Sequence, residues 1–213
     1  KKILDFFNFN PKKNNSLDEI PFLPVKLFKE YDLRSVSIKK ITKILTSSGT
    51  TGNKVSKIFL DKITTINQTK VLSKIMSNFI GNKRLPMLII DTQSIIKNRN
   101  LFSARGAAMV GFSFIGSNIT YALDENLKIN FKKVENFINR YKESNFIIFG
   151  FTSLIYEYFY KQFKPYNNKF DFSKGIIIHG GGWKKLSNLN INNNIFKKNI
   201  KNIFKINNIY NYY

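Results

Sequence analysis

The stretch Thr46-Ser47-Ser48-Gly49-Thr50-Thr51-Gly52-Asn53-Lys54 is almost entirely hydroxyl side chains and glycine, and it ends in a lysine. None of its side chains between Thr46 and Gly52 is bulky and apolar, so it is not built to pack a core. Glycines let a backbone approach a ligand closely. Successive exposed N–H groups, helped by Ser and Thr hydroxyls, make a concave anion site. A lysine adds a compact positive charge suited to phosphate. The chemistry is that of a phosphate grip. Its candidate phosphate-binding residues are Ser47, Ser48, Gly49, Thr50, Thr51, Gly52 and Lys54, with Lys54, Thr50 and Thr51 as the catalytic groups. The spacing is not that of a Walker loop, which needs Gly, four residues and then Gly-Lys-Ser/Thr. Gly49 and Gly52 are too close together, and Asn53 separates Gly52 from Lys54. The competing reading is a polar surface turn with no ligand.

Two further stretches carry weaker signals. Gly180-Gly181-Gly182 follows the apolar run Gly175-Ile176-Ile177-Ile178-His179 and precedes Trp183-Lys184-Lys185-Leu186. Three glycines bare the backbone, which could hydrogen-bond and lie flat against a planar ring; the competing reading is a flexible turn anchored by Trp183. Ile209-Tyr210-Asn211-Tyr212-Tyr213 supplies aromatics able to stack on a base, or else is a sheet strand. His179 reads as a packing residue at a strand end rather than a general base.

These stretches must be positioned by regular elements. Two prolines, Pro21 and Pro24, hold an extended approach segment, and Ile38, Ile41 and Ile44-Leu45 lead into the loop as a strand. Lys57–Asp61 reads as a short strand returning from it. Ile63, Ile66, Leu72, Ile75, Met76, Phe79 and Ile80 recur at helical spacing, which predicts a helix over 62–80 stopped by Gly81. The runs 85–90, 119–123, 146–149, 175–179 and 208–213 predict strands. Helices are expected over 131–141, over 152–163 with Thr152 as its cap, and around Ile191 to Phe204. Phe102 to Phe112 is rich in small residues and predicts a closely packed helix or loop. Strands alternate with helices, so the expected fold is α/β with mainly parallel sheets flanked by helices. Ligands in such folds sit beyond the carboxyl ends of the strands.

Composition narrows the classes. The 213 residues are 43% hydrophobic and 15% aromatic, ample for a packed core. A net charge of +22 invites a nucleic-acid partner, yet only five of the basic residues are arginines and the lysines are spread along the chain, so a solvated lysine-rich surface is expected instead of specific nucleic-acid binding. Without cysteine there is no disulfide and no thiolate zinc site, and one histidine does not make a histidine metal site. No metal ligand set is expected in this chain. No apolar run reaches the length of a membrane span and no signal-peptide pattern is present, so a cytoplasmic location is expected.

Taken together, Ser47 to Gly52, Ser56-Lys57-Ile58-Phe59-Leu60-Asp61, Arg105-Gly106-Ala107-Ala108, Gly150-Phe151-Thr152, Gly181-Gly182-Trp183-Lys184-Lys185-Leu186 and the upstream Pro21 to Lys29 resemble the LuxE-like acyl-protein synthetases. These belong to the superfamily of adenylate-forming enzymes, and the resemblance covers nearly the whole chain. The loop is shared with all adenylate-forming enzymes; the Gly-Gly-Trp-Lys-Lys-Leu piece is more specific. The resemblance implies the fold of an adenylate-forming N-terminal domain over 1–213, cut before the mobile lid subdomain. It implies ATP-dependent activation of a fatty acid to an acyl-adenylate with Mg²⁺, then transfer to a protein thiol. Ser47 to Lys54 would hold the ATP phosphates. Gly180, Gly181, Gly182 and Tyr213 would surround the adenine. Met109, Val110, Phe112 and Phe114 are the candidates for an acyl pocket. The partners implied are a fatty or other carboxylic acid and an acyl-reductase or acyl-carrier protein. The alternatives are an aryl- or acyl-CoA ligase of the phenylacetate type and a basic polyanion-binding module without catalysis. An isolated piece of this extent is expected to turn over poorly.

Overall fold

Buried apolar runs set the architecture. In a computed structural model of the protein, which describes residues 5–10, 12–13, 16–47, 54–96, 101–166 and 169–212, eight strands form two sheets. Strands β1 (Ile41–Thr46), β2 (Lys57–Asp61) and β4 (Leu101–Ser103) make a three-stranded sheet in the order β2-β1-β4. Strands β3 (Leu85–Ile89), β5 (Gly116–Tyr121), β6 (Phe146–Phe151), β7 (Gly175–Gly180) and β8 (Asn208–Asn211) make a five-stranded sheet in the order β5-β3-β6-β7-β8. Every pairing in the larger sheet is parallel. The fold is α/β, as the alternation of strands and helices predicts.

The larger sheet is covered on both faces, which is why its strands read as unbroken apolar runs. Leu88, Ile90, Phe146, Ile148 and Ile177 face one core, with Met87, Ile89, Ile147, Phe149 and Ile178 facing the other. On the first face lie α3 (Phe131–Tyr141), the helical run 152–163 (α4) and α5 (Asn193–Phe204). The second face carries α1 (Lys62–Ile80) through Met76 and α2 (Ala104–Ser113) through Met109 and Phe112. The chain leaves β3 toward β5 but leaves the neighbouring β6 toward β7, in the opposite direction. The crevice at the carboxyl ends of β3 and β6 is therefore the topological switch point, the usual ligand position in open α/β sheets.

Local signals explain the boundaries. The Asp61 carboxylate accepts from Thr64 N at 2.8 Å and caps α1, and Gly81 ends it with φ +76°. Asn130 and Asn192 cap α3 and α5 in the same way. The expected cap at Thr152 is corrected. Phe151 holds the cap position without a side-chain bond, and the Thr152 hydroxyl is spent on neighbours in β7. The run is also not uniform: Thr152–Leu154 is α-helical, Ile155–Tyr160 is a π-helix and Lys161–Phe163 is α-helical again. Strand β4 is unanticipated, because three residues are too few for a periodic signal. Helix α1 also departs from expectation. Its apolar spacing predicts a buried face, but only Met76 is buried, while Ile63, Ile66, Val71, Ile75 and Phe79 are exposed. Among the described residues no helix is long and apolar enough to cross a membrane.

Candidate functional site at the carboxyl edge

The two ends of the hydroxyl-rich stretch are held together at the neck of a hairpin. β1 and β2 pair antiparallel with Thr46 opposite Lys57. The neck is pinned just beyond that pair, where Ser47 N donates to Ser56 O at 3.0 Å and Ser56 N donates to Ser47 Oγ at 3.0 Å. Lys54 is exposed at the start of the return. Of the other loop candidates, Ser48, Gly49, Thr50, Thr51 and Gly52 lie outside the described residues, as does Tyr213.

The hairpin's base is tied to the larger sheet through β4. Thr46 is in parallel register with Ser103, the last residue of β4, and α2 begins at the next residue. Arg105, in the first turn of α2, reaches Asp91 just past the end of β3. Its Nε donates to Asp91 Oδ2 at 2.6 Å and its Nη2 donates to Oδ1, a two-pronged pairing. Asp91 also accepts from Thr92 N at 2.6 Å. The Asp91 side chain is 0% exposed and Arg105 is 31% exposed. A carboxylate that deep is costly unless paired and hydrogen-bonded, and here both oxygens are used. Pairing with Asp91 raises the Arg105 guanidinium above its ordinary value. Burial, and then the Asp91 charge, raises the nearby Tyr121 hydroxyl. Sequence reasoning uses Arg105 only as part of a family pattern and misses Asp91, because their partnership spans fourteen residues and two elements.

A second network lies at the ends of β6 and β7. Thr152 Oγ1 is 2.9 Å from His179 Nδ1 and 2.9 Å from Gly180 O. A hydroxyl carries one proton and the carbonyl can only accept, so Thr152 donates to Gly180 O and accepts from His179 Nδ1–H. That assigns the neutral Nδ1–H tautomer. His179 is fully buried against Trp183 and Phe196, and its Nε2 has no hydrogen-bond partner among the described residues. Burial, with Lys197 adding to it, pushes the imidazole down from 6.5 to about 4. His179 is thus a packing residue with a hydrogen-bonding duty. The linkage has a definite sign. Between pH 6.5 and 4 the unfolded chain binds a proton that the folded state refuses. The contribution is complete above pH 6.5 and is lost as pH falls toward 4, amounting to about 3 kcal/mol at most. His179→Gln is expected to flatten the acid side of the stability–pH curve, measured by chemical denaturation between neutral pH and pH 4.

The glycine turn uses backbone that glycine adopts without strain: φ is +85° at Gly181 and +69° at Gly182. A Cβ on Gly181 would fall 2.1 Å from the Phe151 ring. The planar ring against this glycine is therefore Phe151. At Gly180 a Cβ would approach Tyr212 O at 3.3 Å. Tyr212 N donates to His179 O at 2.7 Å, which carries the β7/β8 ladder one residue past Asn211 and sets the chain beside Gly180. Trp183 packs edge-on against Phe196, centroids 5.5 Å apart, and anchors the turn.

An open groove of about 810 Å³ lies between α1, α2 and β1. Val110, Phe112, Phe114 and Tyr212 line it, together with Leu45, Val71, Leu72 and Ile75. Met109 does not line it: it is fully buried in the core beneath α2. Of the exposed stripe of α1, Val71 and Ile75 form part of this groove's wall, and Phe79 packs against Tyr210, centroids 4.7 Å apart. Lys43 and several hydroxyl and amide side chains form a polar stretch of the lining, and burial lowers the Lys43 ammonium.

Two sheets, the larger all parallel and covered by helices on both faces, with the Asp91–Arg105 pair past the end of β3 and a groove between α1, α2 and β1, define an α/β protein. The sequence model for acyl-protein synthetase, LuxE, matches residues 6–212, and the chain belongs to that family. Among solved structures, the amide bond synthetase McbA from Marinactinospora thermotolerans is similar over 79% of this chain at 16% identity, with a TM-score of 0.42. The chain spans 30% of that structure's length. No curated protein matches.

Proposed function

We propose that this chain forms the nucleotide-holding part of a ligase that activates a fatty acid with ATP and passes the acyl group to a protein thiol. Family membership supports the general activity. The observation that carries the reading to a site is the register of Thr46 with Ser103, two residues from Arg105 and its grip on Asp91. It brings the base of the phosphate loop to the switch point of the larger sheet. In this reading residues 1–213 are one adenylate-forming unit. Ser47 and Lys54 flank the loop that grips the ATP phosphates. The backbone at Gly180 and Gly182 lies along the nucleotide, with Gly181 turned onto Phe151. The groove lined by Val110, Phe112 and Phe114 takes the acyl tail. A carboxylate oxygen attacks the α-phosphorus and pyrophosphate leaves; oriented donors and a lysine offset the repulsion between anions. Mg²⁺ supplies charge neutralisation when it accompanies ATP. Among the described residues no group of three or more His, Cys, Asp or Glu could hold a metal, and the buried Asp91 is occupied by Arg105, so no step is assigned to a metal on this chain. A cytoplasmic location and an acyl-reductase or acyl-carrier partner complete the reading.

The test is ATP–pyrophosphate exchange by the full-length protein across medium- and long-chain fatty acids and aromatic acids. Exchange that depends on a fatty acid is expected; none with any acid, from folded protein, overturns the reading, and preference for aromatic acids favours the phenylacetate-type alternative. Gly111 reports on the tail. A Cβ there meets only Leu72, at 3.5 Å, so Gly111→Leu projects into the groove. It is expected to shift preference toward shorter acids by about tenfold in relative kcat/KM.

A further inference from the structure

We propose that the Asp91–Arg105 pair is the positioning element that holds the base of the proposed phosphate loop, Thr46 and Ser47, in place against the larger sheet. The inference rests on the proposed phosphate role of that loop.

The two sheets share no strand. The hairpin that carries the loop is bonded to β4, and β4 runs directly into α2. Whatever fixes the first turn of α2 therefore fixes Ser103, and through the Thr46–Ser103 register it fixes the residue before Ser47. The fixing group is Arg105. A two-pronged guanidinium–carboxylate pairing defines orientation as well as distance. The carboxylate end is immobile: Asp91 is fully buried, bonds Thr92 N, and offers its own carbonyl to Leu123 N. The pair also stands at the β3/β6 switch point, where a displacement of the loop base is a displacement of the proposed phosphates from everything else in the site. Met109 and Phe112, buried in the core beneath α2, anchor the second half of that helix; the fork on a rigid carboxylate anchors its first turn, next to Ser103.

The test compares wild-type full-length protein with Arg105→Gln, Asp91→Asn, the double variant and Arg105→Lys. Misplacement of a reacting group by about an ångström costs up to about a hundredfold. Each single loss variant is expected to raise the KM for ATP by about tenfold or more, with the KM for the acid unchanged and the far-UV circular dichroism intact. The double variant is expected to be no worse than either single one, and Arg105→Lys to recover part of the loss. Trypsin cleavage after the exposed Lys54 is expected to quicken while cleavage after Lys133, on α3, is not. An unchanged ATP KM in folded variants overturns the inference. So do ATP and acid KM values that rise together with cleavage quickening at both lysines, because that marks general loosening. If the wild-type protein shows no exchange with any acid, the phosphate reading fails separately. Cleavage after Lys54 then decides: selective quickening upholds the link between the pair and the loop, and unchanged cleavage overturns it.

Discussion

If the loop grips phosphate, Gly52→Val is expected to lower acid-dependent ATP–pyrophosphate exchange by about a hundredfold or more and to change the melting temperature little. Removing one preorganised donor from a developing anion costs about 10²–10³ in rate. A β-branched side chain at a glycine of a phosphate loop both restricts the backbone and fills space meant for a phosphate oxygen. Lys54→Ala removes the charge at the loop's return and is expected to weaken ATP use by about tenfold or more. Lys54 is exposed, so its loss costs under about 0.5 kcal/mol of stability. The control is Lys133→Ala, which removes an identical exposed charge from α3, on the far face of the larger sheet. Equal losses for the two lysine variants would trace the effect to bulk charge. Unaltered exchange in Gly52→Val would make the loop an ordinary turn.

The second large effect belongs to Gly181. At φ +85° an L-residue costs about 1–2 kcal/mol, and a Cβ placed 2.1 Å from the Phe151 ring forces that ring away. Overpacking of this kind costs about 1–3 kcal/mol. Gly181→Val is therefore expected to lose about 2–5 kcal/mol in chemical denaturation, with a larger proportional loss of nucleotide affinity because the turn itself is displaced. Phe151→Ala combined with Gly181→Val removes the clash and leaves the backbone strain. The double variant should fall short of the sum of the two single losses by about 1 kcal/mol or more. Strict additivity would show that the ring and the glycine do not meet. The same pair tests whether Phe151 occupies the flat face that the glycines present.

Much of the fold is legible in the sequence because its causes are local. The 3.6-residue spacing of Ile63 to Ile80, with Asp61 before it and Gly81 after it, sets α1 to the residue. The unbroken runs at Leu85, Phe146 and Gly175 announce strands buried on both faces. The loop's phosphate character is equally local, a matter of residue types within one short stretch, and so are the motifs that carry the family resemblance. The sequence alone does not reveal where apolar stripes go. The stripe on α1 looks like a core face, yet its Val71, Leu72 and Ile75 line a groove, whereas Met109, named with Val110 and Phe112, turns into the core. Those outcomes depend on which helix lies opposite, and periodicity carries no information about the partner. Hydroxyls are equally ambiguous: Thr152 has the type and place of a cap, but two acceptor and donor groups in β7 reach it first.

Residue types and their spacing establish an α/β succession, a glycine turn and a family, and they offer a hydroxyl-and-glycine stretch suited to a phosphate grip. How these parts are held together comes from contacts between elements distant in the chain. Asp91 and Arg105 are fourteen residues apart and meet because β3 and α2 converge at the switch point. Gly181 and Phe151 are thirty residues apart and meet because β6 and β7 end side by side. The reason is physical. A residue's type limits which bonds it can make, while burial and the register between strands select which of those bonds it does make.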